Sequence, residues 1–282
     1  MATIEVVAFA SVPVVSMIYN WKYFDHCEQI WADVGCLMER LNLTYTSRQQ
    51  KMILCGVLAQ YLALAVAVWT GKAKAMYLVL SSFTYGCFLA PQVYHVIFVV
   101  TFQRLFRAVN ERIIEVNSSA GTVSSQTTAS QLANAFQLYT ELQEVVQKMN
   151  SYFTLYLLSV QFVRSFFLCN EGFTFLVTAG SEQLTWPRLI YIVLNLTALL
   201  SHCAACEACC QEAHKTVILA HQLVTYNSPG VIIETVSLFS LATFNAKVSF
   251  SVGGVFSIDM SLVTKMLSLV ISYLIVVLQL TD

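Results

Sequence analysis

The stretch SLVTKMLSLVISYLIVVLQLTD, Ser261–Asp282, decides how the rest of the chain is read. From Ser261 to Leu280 it carries one charge, Lys265, so it can cross a bilayer as a helix of about 20 residues. Apolar side chains occur all round it. Its polar residues do not: at 100° per residue, Lys265, Ser268, Ser272 and Gln279, with Val276 among them, fall within roughly 80° of arc. Hydrocarbon offers such a stripe neither water nor polar partners. Two readings stand: small serines let helices pack closely, or the stripe lines a pore.

Working outward, VSLFSLATFNAKVSFSVGGVFSIDMSLV, Val236–Val263, runs from a helix-like segment through a Gly-containing turn to Asp259 and the last span. Within the span, Ser272, Tyr273, five hydrophobic residues (Leu274–Leu278) and then Gln279 and Leu280 resemble the C-terminal signature of insect gustatory receptors, Thr-Tyr, five hydrophobic residues, Gln-Phe. Ser272 replaces the family's Thr and Leu280 its Phe. The resemblance extends upstream to Leu138-Tyr139, Asn150–Phe153 and CCQEAHKTVILAHQL, Cys209–Leu223, and is most specific after Leu138.

Composition supports a membrane protein. Of 282 residues, 57% are hydrophobic and 11% charged, and mean hydropathy is +0.66. A soluble domain carries about 25% charged residues. A net charge of −1 gives no nucleic-acid signal. Four prolines are few for the broken helices of transporters. Nine cysteines form no secreted disulfide pattern. No basic segment precedes the apolar run Ala2–Met17, so no cleavable signal peptide is expected.

The expected fold is all-α: a polytopic membrane helical bundle of about six spans with cytosolic helix extensions. The spans are about Ala2–Ile18, Met52–Thr70, Met76–Phe102, Ser151–Cys169 (or on to Thr178), Leu189–Cys206 and the last stretch. Lys and Arg set the orientation. One set of loops holds ten: Lys22, Arg40, Arg48, Lys51, Arg104, Arg107, Arg112, Lys148, Lys215 and Lys247. The other holds three: Lys72, Lys74 and Arg188. The first set is therefore expected in the cytosol, with both termini outside. With that orientation, the resemblance implies three regions: 1–206, five spans with an outer ligand pocket; 207–259, cytosolic anchor-type helices; 260–282, the pore-lining helix.

Tyr19–Lys51 reads as a charged, helix-like loop. NSSAGTVSSQTTAS, Asn117–Ser130, reads as a disordered linker. The amphipathic run after it feeds into the fourth span without a breaker, so that helix should project into the cytosol. Ile232, Val236, Phe239 and Ala246 recur at helical spacing. The apolar faces of such extensions pack on each other or on neighbouring subunits.

Among His202, Cys203, Cys206, Cys209 and Cys210, three cysteines share a helical face, but the closing ligand of known Cys sites is missing. No metal is expected; packing at a membrane boundary or S-palmitoylation are the alternatives. There is no G-x-S-x-G, H-E-x-x-H or P-loop, so no enzyme activity, catalytic residue or cofactor is expected. The acceptor patterns at Asn42 and Asn117 fall on the cytosolic side and should stay bare; Asn195 lies inside a span. Arg164 in the fourth span and Glu5 in the first are intramembrane charges, functional or paired. Tyr61, Trp69, Tyr85, Phe88, Phe167 and Tyr191 surround Arg164 in the outer halves, either as an interfacial belt or as a small-molecule pocket.

The resemblance implies a ligand-gated, non-selective cation channel for small-molecule tastants, a homo- or heterotetramer in the plasma membrane of a sensory neuron. It implies that Val276, Gln279 and Leu280 gate the pore, with Ser268 and Ser272 on its wall, and that the C-terminus is extracellular. The family has seven spans with a cytosolic N-terminus, so this chain reads as lacking the first. Leu274 follows Tyr273 where the sugar-sensing branch has Glu, which resembles the bitter or orphan branches. The alternatives are a G-protein-coupled chemosensory receptor, for which D-R-Y and N-P-x-x-Y are missing, and a solute transporter, for which repeats are missing.

Overall fold

The structure, a computed structural model, describes residues 24–43, 75–119, 124–177, 185–223, 229–245 and 247–281. It is an all-α bundle with one small hairpin. The elements are α1 (Phe24–Arg40), α2 (Ala75–Ser119), α3 (Ser125–Val177), α4 (Thr185–Gln222), α5 (Gly230–Asn245), β1 (Ser251–Val252), β2 (Phe256–Ser257) and α6 (Met260–Thr281). The expected first and second spans, residues 2–18 and 52–70, lie outside the described residues.

Helix length carries the architecture. At 1.5 Å per residue, the 45 residues of α2 extend about 68 Å and the 53 of α3 about 80 Å. The hydrocarbon core of a bilayer is about 30 Å thick, so both helices run far beyond it. Three described helices, α3, α4 and α6, hold windows apolar enough to cross a membrane. Residues 76–102, the expected third span, form the first part of α2.

Much of the described core lies where α2, α3 and α4 meet. α2 and α4 form the most extensive helix pair, and α3 touches every other described helix. Phe98, Phe102, Leu105, Phe106 and Val109 of α2 are fully buried, as are Leu132, Leu142 and Met149 of α3. α5 docks by the periodic positions Ile232, Val236 and Phe239, all buried; Ala246 lies outside the described residues. The Phe239 ring stacks on Phe136 of α3 at a centroid distance of 3.8 Å. α1, the helix expected in the first loop, packs on α3, and Lys148 pairs with Asp33 at 2.8 Å.

Of the expected disordered linker, the described residues 117–119 and 125–130 are helical. α2 continues to Ser119 and α3 begins at Ser125. The reason lies in the serines and threonines themselves. Ser124 Oγ accepts from the Thr127 amide at 3.3 Å and pairs with the Thr127 hydroxyl at 2.7 Å, an N-cap that nucleates the next turn.

Candidate functional site: the base and exposed face of the last helix

The last helix stands on a structured base. Phe250 and Val252 are buried, and Asn150 of α3 donates to the Ser249 carbonyl at 2.7 Å. Val252 pairs with Phe256, and the Val255 amide donates to the Val252 carbonyl at 2.9 Å. The two central residues, Gly253 and Gly254, have φ of 57° and 74°, the backbone a tight hairpin turn demands. A Cβ on Gly253 would stand 2.9 Å from the Thr154 methyl, so the hairpin lies directly on α3.

Asp259 then starts α6. Its carboxylate accepts from Ser257 Oγ at 2.6 Å, from Ser261 Oγ at 2.5 Å and from the Leu262 amide at 3.2 Å. The Ser257 and Ser261 hydroxyls, chief among these donors, hold the carboxyl below the usual carboxylate range. The geometry is that of an N-cap.

From there α6 packs by one stripe. Leu262, Val263, Met266 and Val270 are buried, and Leu274 Cδ1 lies 3.2 Å from where a Cβ on Gly172 would be. Lys265, Ser268, Ser272, Val276 and Gln279 are all exposed. On a helical wheel their mean direction lies roughly 140° from the packed stripe. Leu280 is 80% exposed, beyond what one chain covers. Tyr273 of the signature is also exposed.

Tyr61 and Trp69 lie outside the described residues, as do the side chains of Tyr85, Phe88 and Tyr191. Phe167 is half-buried and its ring meets Phe166 edge-on. Arg164 is buried in the bundle. Its Nη2 donates to Gln92 Oε1 of α2 at 2.5 Å, and Gln92 Nε2 donates to the Ala198 carbonyl of α4 at 3.1 Å. Arg164 and Gln92 together thus tie three helices.

A second buried polar cluster joins His202, which the sequence singles out, to His95, which it does not. His95 of α2 and His202 of α4 are fully buried and share a hydrogen bond of 2.9 Å. Phe153 and Phe250 meet the His95 ring edge-on. Cys203, Cys206 and Cys209 of α4 are buried as well. His95 sits in a featureless apolar run and no spacing points to it. Below this level, Asn110 Nδ2 donates to the Glu212 carbonyl and accepts through its oxygen from Thr216. A groove of about 870 Å³ opens between α3, α4 and α5, bordered by Tyr139, Cys210, His221, Ser240 and Phe244.

A family model described as 7tm chemosensory receptor matches residues 1–281. Among solved structures, the chain is similar to the insect olfactory receptor OR5 from Machilis hrabei, with a TM-score of 0.69 and 10% identity, over 98% of this chain and 80% of that one. The complex of that receptor with eugenol matches at a TM-score of 0.69 and 11% identity, with the same coverage. No curated protein sequence matches. At such identity the likeness carries the fold and not the function.

Proposed function

This chain belongs to the 7tm chemosensory receptor family, a family of receptors and not of enzymes, and on that premise we propose that it is a gustatory receptor acting as a ligand-gated, non-selective cation channel. The observation that carries the reading is the exposed polar face of α6. One stripe of the helix packs on its own chain, and Ser268, Ser272, Val276 and Gln279 turn away from it. A polar stripe in hydrocarbon requires water or partners, and a shared pore at the centre of several copies supplies both.

Assembly follows from a second exposed surface. α5 leaves Ile233, Leu238 and Phe244 exposed, with Phe244 at 77%. An apolar face of this size on an overhang outside the membrane suits a neighbouring subunit, and a tetramer would place four α6 helices round one axis. The ligand is a small-molecule tastant, in keeping with the eugenol complex of the similar olfactory receptor. It would enter the outer half of each subunit, near Arg164, and favour the open state by binding it more tightly than the closed one. The plasma membrane is the expected location, with the overhang in the cytosol and the C-terminus outside.

Two measurements test this. An epitope tag after Asp282 should stain on intact cells; staining only after permeabilisation would favour a G-protein-coupled orientation and overturn the channel reading. Calcium imaging with a tastant panel should show influx that survives G-protein blockade.

A further inference from the structure

We propose that His95, His202 and Cys206 form a three-coordinate site for a soft monovalent cation, Cu(I), that pins α2 to α4. One ligand atom of each residue lies within 4.8 Å of the other two, and all three residues are buried. His202 and Cys206 are four apart on α4, hence on one face, and His95 reaches them from α2. The two ring nitrogens that face each other, His95 Nδ1 and His202 Nε2, stand 2.9 Å apart on neighbouring helices and are the pair an ion would take up.

Ligand type, ligand number and charge select the ion. Imidazole and thiolate together suit Cu(I), Zn²⁺ and related soft or borderline ions. Structural zinc takes four ligands, whereas no fourth His, Cys, Asp or Glu joins this cluster among the described residues. Charge decides further. Cu(I) bound by two neutral imidazoles and one thiolate is neutral, while Zn²⁺ on the same set leaves a positive charge. The Arg164 side chain is also buried in the bundle, and a further cation there without a counter-charge would be costly.

Binding involves no redox change. The Cys206 thiol loses its proton to solvent, sulfur binds the ion, and the ring nitrogens exchange their mutual hydrogen bond for two bonds to metal. With metal–nitrogen bonds near 2.0 Å, trigonal geometry sets the two nitrogens about 3.5 Å apart. They now stand 2.9 Å apart, so a small side-chain movement suffices. Because Phe250 packs on His95 just before the hairpin, the ion would stiffen the seat of α6.

The test is the metal content of the full chain, purified in detergent under reducing conditions after exposure to Cu(I). Near one copper per chain is expected, with X-ray absorption showing two nitrogen neighbours and one sulfur. Cys206→Ser and His202→Gln should each lower copper retention against a Cu(I) chelator at least tenfold. Cys209→Ser, outside the cluster, should not change it. Size-exclusion profiles confirm that each variant is folded; should His202→Gln fail there, Cys206→Ser alone decides. Copper retention equal in Cys206→Ser and the parent chain, or stoichiometric zinc in place of copper, would overturn the assignment.

Discussion

Two glycines show what a single residue does here. Gly253 and Gly254 both hold positive φ, but only Gly253 faces a close neighbour, the Thr154 methyl. That methyl cannot turn away freely, because Thr154 Oγ1 donates to the Asn150 carbonyl at 2.6 Å. Gly254→Ala should therefore cost only the left-handed strain, about 1 kcal/mol. Gly253→Ala should cost that and the collision, about 2–3 kcal/mol in all. Thermal melts in detergent should rank them in that order, and Thr154→Ser should rescue part of the Gly253→Ala loss and none of the Gly254→Ala loss. The two glycines stand out in the sequence as a turn; the asymmetry between them does not, since it depends on α3, a hundred residues earlier. The same distance hid His95 from view and left Arg164 between two readings. The structure gives Arg164 an interhelical bond to Gln92, a partner that no local pattern names.

Among the elements, α6 was the most legible, because length and apolarity suffice to identify a span. Its polar stripe was visible for the same reason, since helical periodicity alone places those residues on one arc. α5 was legible through its spaced apolar positions. The linker's composition suggests disorder, while the N-cap at Ser124 favours helix in the residues after it. The Asp259 cap makes a prediction about α6. Its carboxyl is held below its ordinary value, so its contribution is complete above the unfolded pKa, about 3.9. It is lost as pH falls through the lower folded value. Asp259→Asn keeps an acceptor but not the charge, so its melting temperature should fall less steeply below pH 4 than that of the parent chain. Asp259→Ala removes the cap and should cost about 1 kcal/mol at neutral pH. Identical acid slopes in Asp259→Asn and the parent would refute this role.

At the scale of the molecule, the long helices build a packed base, and α6 rises from it with one face uncovered. The base leaves Leu238 and Phe244 of α5 exposed, and both reach beyond the face that Phe239 docks. Phe244→Glu should therefore break subunit association while leaving the single-chain fold intact. For the proposed tetramer, the readout is a shift to smaller species by native mass spectrometry, with an unchanged melt of the separated chain. An unchanged tetramer would place the interface elsewhere.

The central claim, that the uncovered face of α6 lines a cation path, is tested most directly at Gln279. A ring of glutamine amides is neutral and offers both donors and acceptors, so it selects weakly among cations. Gln279→Glu adds a ring of negative charge. On the proposed reading, Val276→Ser and Leu280→Ala would wet the flanking apolar rings, whose dewetting would close the pore at rest. Patch-clamp recording of reversal potential under calcium and sodium gradients, with basal current in the same cells, reads both effects. The account predicts a reversal potential shifted toward calcium in Gln279→Glu and ligand-independent leak in the other two. Unchanged permeability and unchanged leak in all three, at normal surface expression, would contradict it.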